Sequence, residues 1–506
     1  MPAPATTTSV DEQTLSVIDH LTKSYDNKSE IDSTLIDDYI TVLGSIDLLG
    51  AIADFIPIIN HILTDNLYHQ IDPNRLLIEL LQKIVSRLSF GQIVSVYSPE
   101  FIVSSLASSD NVPITKLCLS IIIQKLHEPE TVSFIAENCI SFILLKNYLS
   151  DAKLDLGIVN QIELYVNSLI LNDVTNLLEE ILTDTKFVIL YNSIRNSENT
   201  ILLARLLDFI LILLTYKVDL PLDPRLYTFS NVEIVTFKDD PLFLILLVQF
   251  YVKLVQVLNH STENKFSVLE EVSPVIGNFV NLYKDPTTDD FVKVEVIDIL
   301  VKLSYATNSL LIEYGLELAL NSELFKSHNL IKVYEYNEPD IKLLSNVNPD
   351  LIVHSSNVIY EDVLSNLSLL NNKQYFPILL NFIGSADVFP RLEQDYFTTK
   401  LKHLPADKLY VILLEFSKFS HSRKFLLSNA TLTNDYLLDN DNLTFVNNEL
   451  WHTKLQVLEN LVNATDSDSP ELAHWKPYLQ DSFNLMRHGK KIRDVVPQVS
   501  ILDETL

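Results

Sequence analysis

Glycine occurs only eight times in 506 residues, and none of the eight stands in a GxxxxGK[ST] or GxGxxG pattern. Loops that cradle phosphates need such glycines, so nucleotide-binding folds of those kinds are excluded. Cysteine occurs twice, at Cys118 and Cys139, too few for a disulfide framework and without a CxxC neighbour. Both lie in apolar stretches, where a free thiol is expected to act as a small core residue. Basic residues are also scarce. Against 66 Asp and Glu stand 37 Lys and Arg, a formal net charge of −29. Such a field repels nucleic-acid backbones and anionic membrane surfaces and draws basic protein surfaces toward it. The start of the chain, Met1 to Thr8, has neither a basic end nor an apolar run and does not read as a signal peptide. Residues 1–12 are expected to form a disordered leader, and the protein to be soluble in the cytoplasm or nucleus. Long uncharged hydrophobic runs are missing too. The apolar stretch from Ile201 to Tyr216 contains Arg205 and Asp208, and that from Leu242 to Leu258 contains Lys253. Central charges are costly in a membrane, so both are read as buried helices.

Helix signals, by contrast, are abundant. Capping residues precede proline at Ser98-Pro99, Asp240-Pro241, Ser273-Pro274, Asn348-Pro349 and Ser469-Pro470, and proline suits the first helical turn because its missing N–H had no partner there. The short β-branched piece Val232 to Val235 is read as a loop or helix end. Several helices are apolar nearly all round apart from one thin polar stripe. These stripes are Lys116, Ser120 and Gln124; Glu163; Arg205 and Asp208; Gln249, Lys253 and Gln256; and Glu295, Asp298 and Lys302. Ser120, Glu163, Asp208, Lys253 and Asp298 follow one another at steps of 43, 45, 45 and 45, and Glu415 and Glu459 are 44 apart. A period of this length is the mark of HEAT or armadillo arrays, whose units bury their faces only by stacking on neighbours. The expected fold is therefore all-α, a curved α-solenoid of roughly eleven HEAT/armadillo-type units. It would occupy residues 13–486 as a single domain, followed by a tail at 487–506. The spacing loosens between residues 308 and 372. Asp435 to Asn442 reads as an acidic loop and Asp466 to Asp468 as a shorter one.

Chemistry-bearing patterns are sparse. The nearest pair of the twelve histidines, His61 and His69, is eight apart, which is not the i, i+4 spacing of ligands on one helix face. There is no GxSxG elbow, and no Cys/His pair has supporting context. Asp439 to Asn442 has calcium-loop residues without the required glycine and distal glutamate. No enzymatic activity, cofactor or metal is expected. The one basic cluster, Arg487 to Arg493, reads either as a solvated tail or as a docking or nuclear-localisation segment. Arg205 and Asp208 fit two readings, a buried polar ladder between units or the lining of a binding surface. The candidate partner-binding residues are Glu163, Arg205, Asp208, Gln249, Lys253, Gln256, Glu295, Asp298 and Lys302.

Five stretches also carry a resemblance: Val96 through Glu100 to Leu106, Ala204 to Phe209, Phe250 to Lys253, Arg423 to Leu427, and Trp475 to Leu479. Their collinear order between about residues 70 and 485 resembles the fungal HEAT/armadillo-repeat assembly chaperones of the proteasome regulatory-particle base. That family also carries a DNA mismatch repair label. The resemblance implies a chain, monomeric before it meets its partner, that grips the C-terminal domain of a proteasomal ATPase subunit. It would hold an assembly intermediate together and block premature docking on the core particle. It implies no nucleotide site and no catalytic residue, while the net charge of −29 argues against direct nucleic-acid contact and a membrane partner. Other acidic solenoid scaffolds, such as transport receptors or tethering factors, and an indirect role in mismatch repair are the alternatives.

Overall fold

A computed structural model describes residues 10–43, 52–108, 111–174, 176–197, 199–216, 222–260, 266–325, 338–355, 376–439, 448–465 and 469–489. The expected loop at 466–468 and the basic residues 490–493 lie outside them, as do residues 1–9, most of the expected leader. The described residues are helical with no strand among them, so the chain is an all-α helical-repeat protein. It divides into two compact units, residues 1–273 and 274–506.

In the first unit one row of helices comprises α1 (Ser33–Val42), α2 (Leu76–Ser86), α3 (Val112–Lys125), α4 (Leu156–Leu171), α5 (Thr200–Tyr216) and α6 (Pro241–Asn259). Each packs on the next, and most are preceded by a helix of a second row, such as Pro99–Ser108, Ile140–Ser150 or Thr185–Arg195. In the second unit the same arrangement runs through α7 (Asp290–Ser304), α8 (Glu338–Asn346), α9 (Phe376–Ile383), α10 (Ala406–Lys418) and α11 (Asn448–Val462). Against α11 packs α12 (Pro470–His488). The 45-residue step is thus the step from one row helix to the next. The row helices are sandwiched, which explains their composition: in α6 nine residues, from Phe243 to Leu258, are buried. Among the described residues α6 is the one unbroken helix long and apolar enough to cross a membrane; here its buried side packs on α5.

Each unit is stitched by side chains that reach back to the last carbonyls of an earlier helix, the acceptors a helix C-terminus leaves open. Asn111 donates to the Leu63 carbonyl, Lys125 to that of Ser86, and Asn147 to that of Leu106. In the second unit Asn348 donates to the Ser304 carbonyl, and Asn381 to those of Leu344 and Val347. A polar side chain in a Leu-rich helix is therefore often a repeat-to-repeat cap, each contributing about 1 kcal/mol.

Local chemistry sets the starts. Asp240 and Ser469 cap α6 and α12 ahead of proline, as the sequence indicates. Residues 231–236 correct the loop reading: they form the helix Asn231–Thr236, because Ser230 and Glu233 close a reciprocal capping box. Pro274 lies inside the helix Phe266–Lys284 rather than at its start. Val272 before the proline and Ile276, Phe279 and Val280 after it are buried, and the proline removes one hydrogen bond of that helix. Of the expected acidic loop Asp435 to Asn442, Asp435 to Leu438 belong to the π-helical turn Thr433–Leu438, and residues 440–442 lie outside the described ones. Cys118 is buried, its thiol pushed up to about 12 by desolvation, whereas Cys139 is exposed in a left-handed turn (φ 51°) and is no core residue.

Among the described residues of the second unit Lys454 is the most deeply buried lysine, 0% exposed, with Nζ donating to the Asp439 carbonyl at 2.9 Å. Burial lowers its ammonium to about 8. The unfolded chain holds this proton up to the ordinary lysine value, so between pH 8 and 10 the unfolded state binds more protons and the folded state gains stability as pH rises. Above that window the buried tyrosines, held protonated in the fold, reverse the trend. Urea midpoints measured from pH 7.5 to 10 should therefore rise with pH, and the rise should flatten in Lys454→Met.

Candidate protein-binding surface

The stripe Lys116, Ser120 and Gln124 lies on α3, and the candidate partner-binding residues of the first unit lie on α4, α5 and α6, the next three row helices. They divide by what they touch. Arg205 is 7% exposed. Its guanidinium donates to the carbonyls of Tyr148 (3.1 Å), Asp151 (2.6 Å) and Ala152 (3.5 Å), at the C-terminus of the helix Ile140–Ser150. It also lies 5.9 Å from the centre of the Tyr148 ring. Arg205 is therefore a repeat-to-repeat cap and does not belong to an exposed surface. Glu163 is half-buried and accepts the Tyr148 hydroxyl at 2.8 Å.

Asp208 is different. Its side chain is exposed, and among the described residues it makes neither hydrogen bond nor ion pair. The protein around it, and then the Glu163 carboxylate, raise its carboxyl above the ordinary value; Lys253 acts the other way. Glu163 and Lys253 thus each sit within electrostatic reach of Asp208, one per helix, in the 45-residue register. Gln249 and Gln256 flank exposed Lys253, half-buried and without side-chain partners.

The sequence stripe missed what surrounds these charges. Leu164 beside Glu163 is 56% exposed, and Leu156, Ile201 and Leu246 are exposed at the same 45-residue register, with Leu242 one turn before Leu246. The outward face of α4–α6 is an apolar surface with an acidic centre, which polarity alone cannot reveal in helices that are apolar all round.

The remaining candidates lie in the second unit, on α7. Asp298 pairs with Lys342 of α8 at 3.2 Å, so it bridges row helices. Glu295 is half-buried and Lys302 exposed, both without side-chain partners, and Phe291 on the same helix is 75% exposed. Glu415 in α10 forms an ion pair with Lys418 of its own helix, and Glu459 in α11 is exposed. Among the described residues no group of three His, Cys, Asp or Glu could hold a metal ion.

Fold and surface together define a two-unit helical-repeat protein with an exposed, partly apolar row face. The family profile described as "DNA mismatch repair protein HSM3, N terminal domain" matches residues 15–256, and that of the C terminal domain matches residues 265–506. The chain belongs to this HSM3 family. A relative from Scheffersomyces stipitis is 98% identical over the whole of both chains. One from Candida albicans is 38% identical over 98% of this chain and 100% of its own, and one from Debaryomyces hansenii 31% identical over 98% and 99%. All three bear the name DNA mismatch repair protein HSM3.

Proposed function

We propose that this chain is an assembly chaperone for the base of the proteasome regulatory particle. It binds the C-terminal domain of an ATPase subunit, stabilises an assembly intermediate and blocks premature docking on the core particle. The collinear resemblance of five stretches to that chaperone family supports the reading. The observation that carries it is the α4–α6 face: unpartnered Asp208 within electrostatic reach of Glu163, on helices that also expose Leu164, Ile201 and Leu246. Exposed apolar surface around a few charges is the anatomy of a protein interface. The excess carboxylate calls for a partner side chain of positive charge, which would also steer the encounter. The repair name borne by the relatives fits an indirect role, because a chain of net charge −29 with Lys253 as its central exposed cation offers little to a phosphate backbone.

Asp208 supplies a discriminating test. Because its carboxyl is raised, the folded state binds more protons than the unfolded state above the ordinary carboxylate range, so the ionised form costs stability at neutral pH. Asp208→Asn should therefore leave the free protein at least as stable at pH 7 by thermal unfolding, while weakening capture of the ATPase subunit. Asp208→Lys should weaken capture by about tenfold or more, the range of a close charge pair at an interface. A structural ladder residue would show the reverse: lower melting and unchanged binding.

A further inference from the structure

Each of the three charges in the 45-residue register, Glu163, Asp208 and Lys253, has an exposed apolar residue seven positions before it. These are Leu156 (74% exposed), Ile201 (54%) and Leu246 (43%). Seven residues are close to two helical turns, so each apolar residue shares its helix side with the charge and lies about 10 Å nearer the N-terminus. Levels match from helix to helix. The Tyr148 hydroxyl lies 2.8 Å from the Glu163 carboxylate of α4 and 3.1 Å from the Arg205 carbonyl of α5, and α5 packs along α6. Successive repeats differ by a small rotation, so equivalent residues of neighbouring units stay side by side. Leu156, Ile201 and Leu246 therefore form a line across the three helices, parallel to the line of charges. On α3 the same register falls at Asn111, which caps that helix, so the apolar line begins at Leu156.

The step of this line selects what can lie on it. Packed helices keep their axes about 8–10 Å apart, and that is the distance from one apolar residue to the next. In an α-helix, residues i, i+7 and i+14 share one side at steps of about 10.5 Å. In an extended strand, residues of one side recur at about 6.6 Å and then about 13 Å, and neither step fits. A helix crossing the row slightly off the perpendicular meets all three residues. Charge sets its orientation. Asp208 is exposed and makes no hydrogen bond or ion pair among the described residues, while Arg205 spends its guanidinium on carbonyls. In a chain of net charge −29, the side of the visiting helix that faces Asp208 has to be basic.

We infer that the partner lays one amphipathic α-helix of about fifteen residues across α4, α5 and α6. Its apolar side chains at i, i+7 and i+14 rest on Leu156, Ile201 and Leu246, and a lysine or arginine on its flank reaches Asp208. The inference rests on reading the α4–α6 face as a binding surface, and not on the partner being an ATPase subunit.

Photo-cross-linking tests it. p-Benzoylphenylalanine replaces Leu156, Ile201 or Leu246, one at a time, in the tagged full chain in cells of the source organism, and the linked residues are mapped by mass spectrometry. The three positions should link to one helical segment of one partner, at successive steps of about seven residues. Ile201→Asp should cut linking from positions 156 and 246 by about tenfold, since it would bury a carboxylate under the apolar side of the helix. Ile189→Asp, at an exposed residue of the helix Thr185–Arg195 in the second row, should leave linking unchanged. Ile201 is itself exposed, so its variant should melt with the parent chain. Steps of about three residues, as an extended segment would give, would overturn the inference. So would links to unrelated segments, no links, or full linking in Ile201→Asp. The partner's identity is read separately. Seven-residue steps in a protein other than an ATPase subunit would sink the chaperone reading and uphold the helix, whereas ATPase links without those steps would do the opposite.

Discussion

Arg205→Met should lower the unfolding free energy by about 3 kcal/mol, the cost of removing a buried charged donor from the acceptors it satisfies. Methionine fills most of the same volume, so the loss reports hydrogen bonding rather than a cavity. Three carbonyls at the end of the helix Ile140–Ser150 lose their donor, at a place where the arginine itself is only 7% exposed. The urea midpoint of the full chain is the readout. Binding by the folded fraction should be unchanged, since the guanidinium does not reach the α4–α6 face. An unchanged midpoint with lost binding would return Arg205 to the binding surface.

Phe416→Ala should cost about 4 kcal/mol, in the range for deleting a fully enclosed aromatic ring. Phe416 in α10 is 0% exposed and sits at the centre of a ring cluster. Its centroid lies 4.9 Å from that of Phe397, 5.5 Å from Phe425 and 5.7 Å from Phe389, all edge-on. Edge-to-face pairs add to the burial term. The cluster joins α10 to the short helix Phe389–Leu392, the π-helical turn Glu393–Phe397 and the helix Ser420–Ser428, so the cavity opens where four elements meet. Phe416→Leu, which keeps much of the volume, should lose well under half as much. Thermal unfolding of the two variants side by side separates cavity from shape.

The repeat was legible because the physics that builds it leaves a periodic trace. A row helix buried on most sides keeps one outward edge, and that edge falls at the same register in each unit: Glu163, Asp208 and Lys253 occupy it on α4, α5 and α6. What the stripe could not separate was outward polarity from inward polarity. Arg205 is three residues from Asp208 and looks like its companion, yet it points to the carbonyls of the preceding repeat while Asp208 points to solvent. Asp298 is of mixed character, half-buried and paired across to Lys342. The apolar part of the surface was invisible for the opposite reason. Exposed Leu164, Ile201 and Leu246 are the same residue types as the buried leucines beside them, and only neighbours three-dimensionally placed tell them apart. Local exceptions had local causes: the capping box of Ser230 and Glu233 turns a β-branched run into a helix, and buried contacts on both sides of Pro274 carry a helix through a proline.

The central claim is that the α4–α6 face receives a proteasomal ATPase subunit. Its most direct test is capture by the tagged full chain from cells of the source organism, at low and then moderate salt, with the eluate identified by mass spectrometry and the Asp208→Lys chain run in parallel. ATPase subunits of the regulatory-particle base should be recovered without the core particle, more weakly at higher salt and more weakly still with Asp208→Lys. Recovery of repair proteins or small GTPases without those subunits, or equal recovery with the reversed charge, would contradict it.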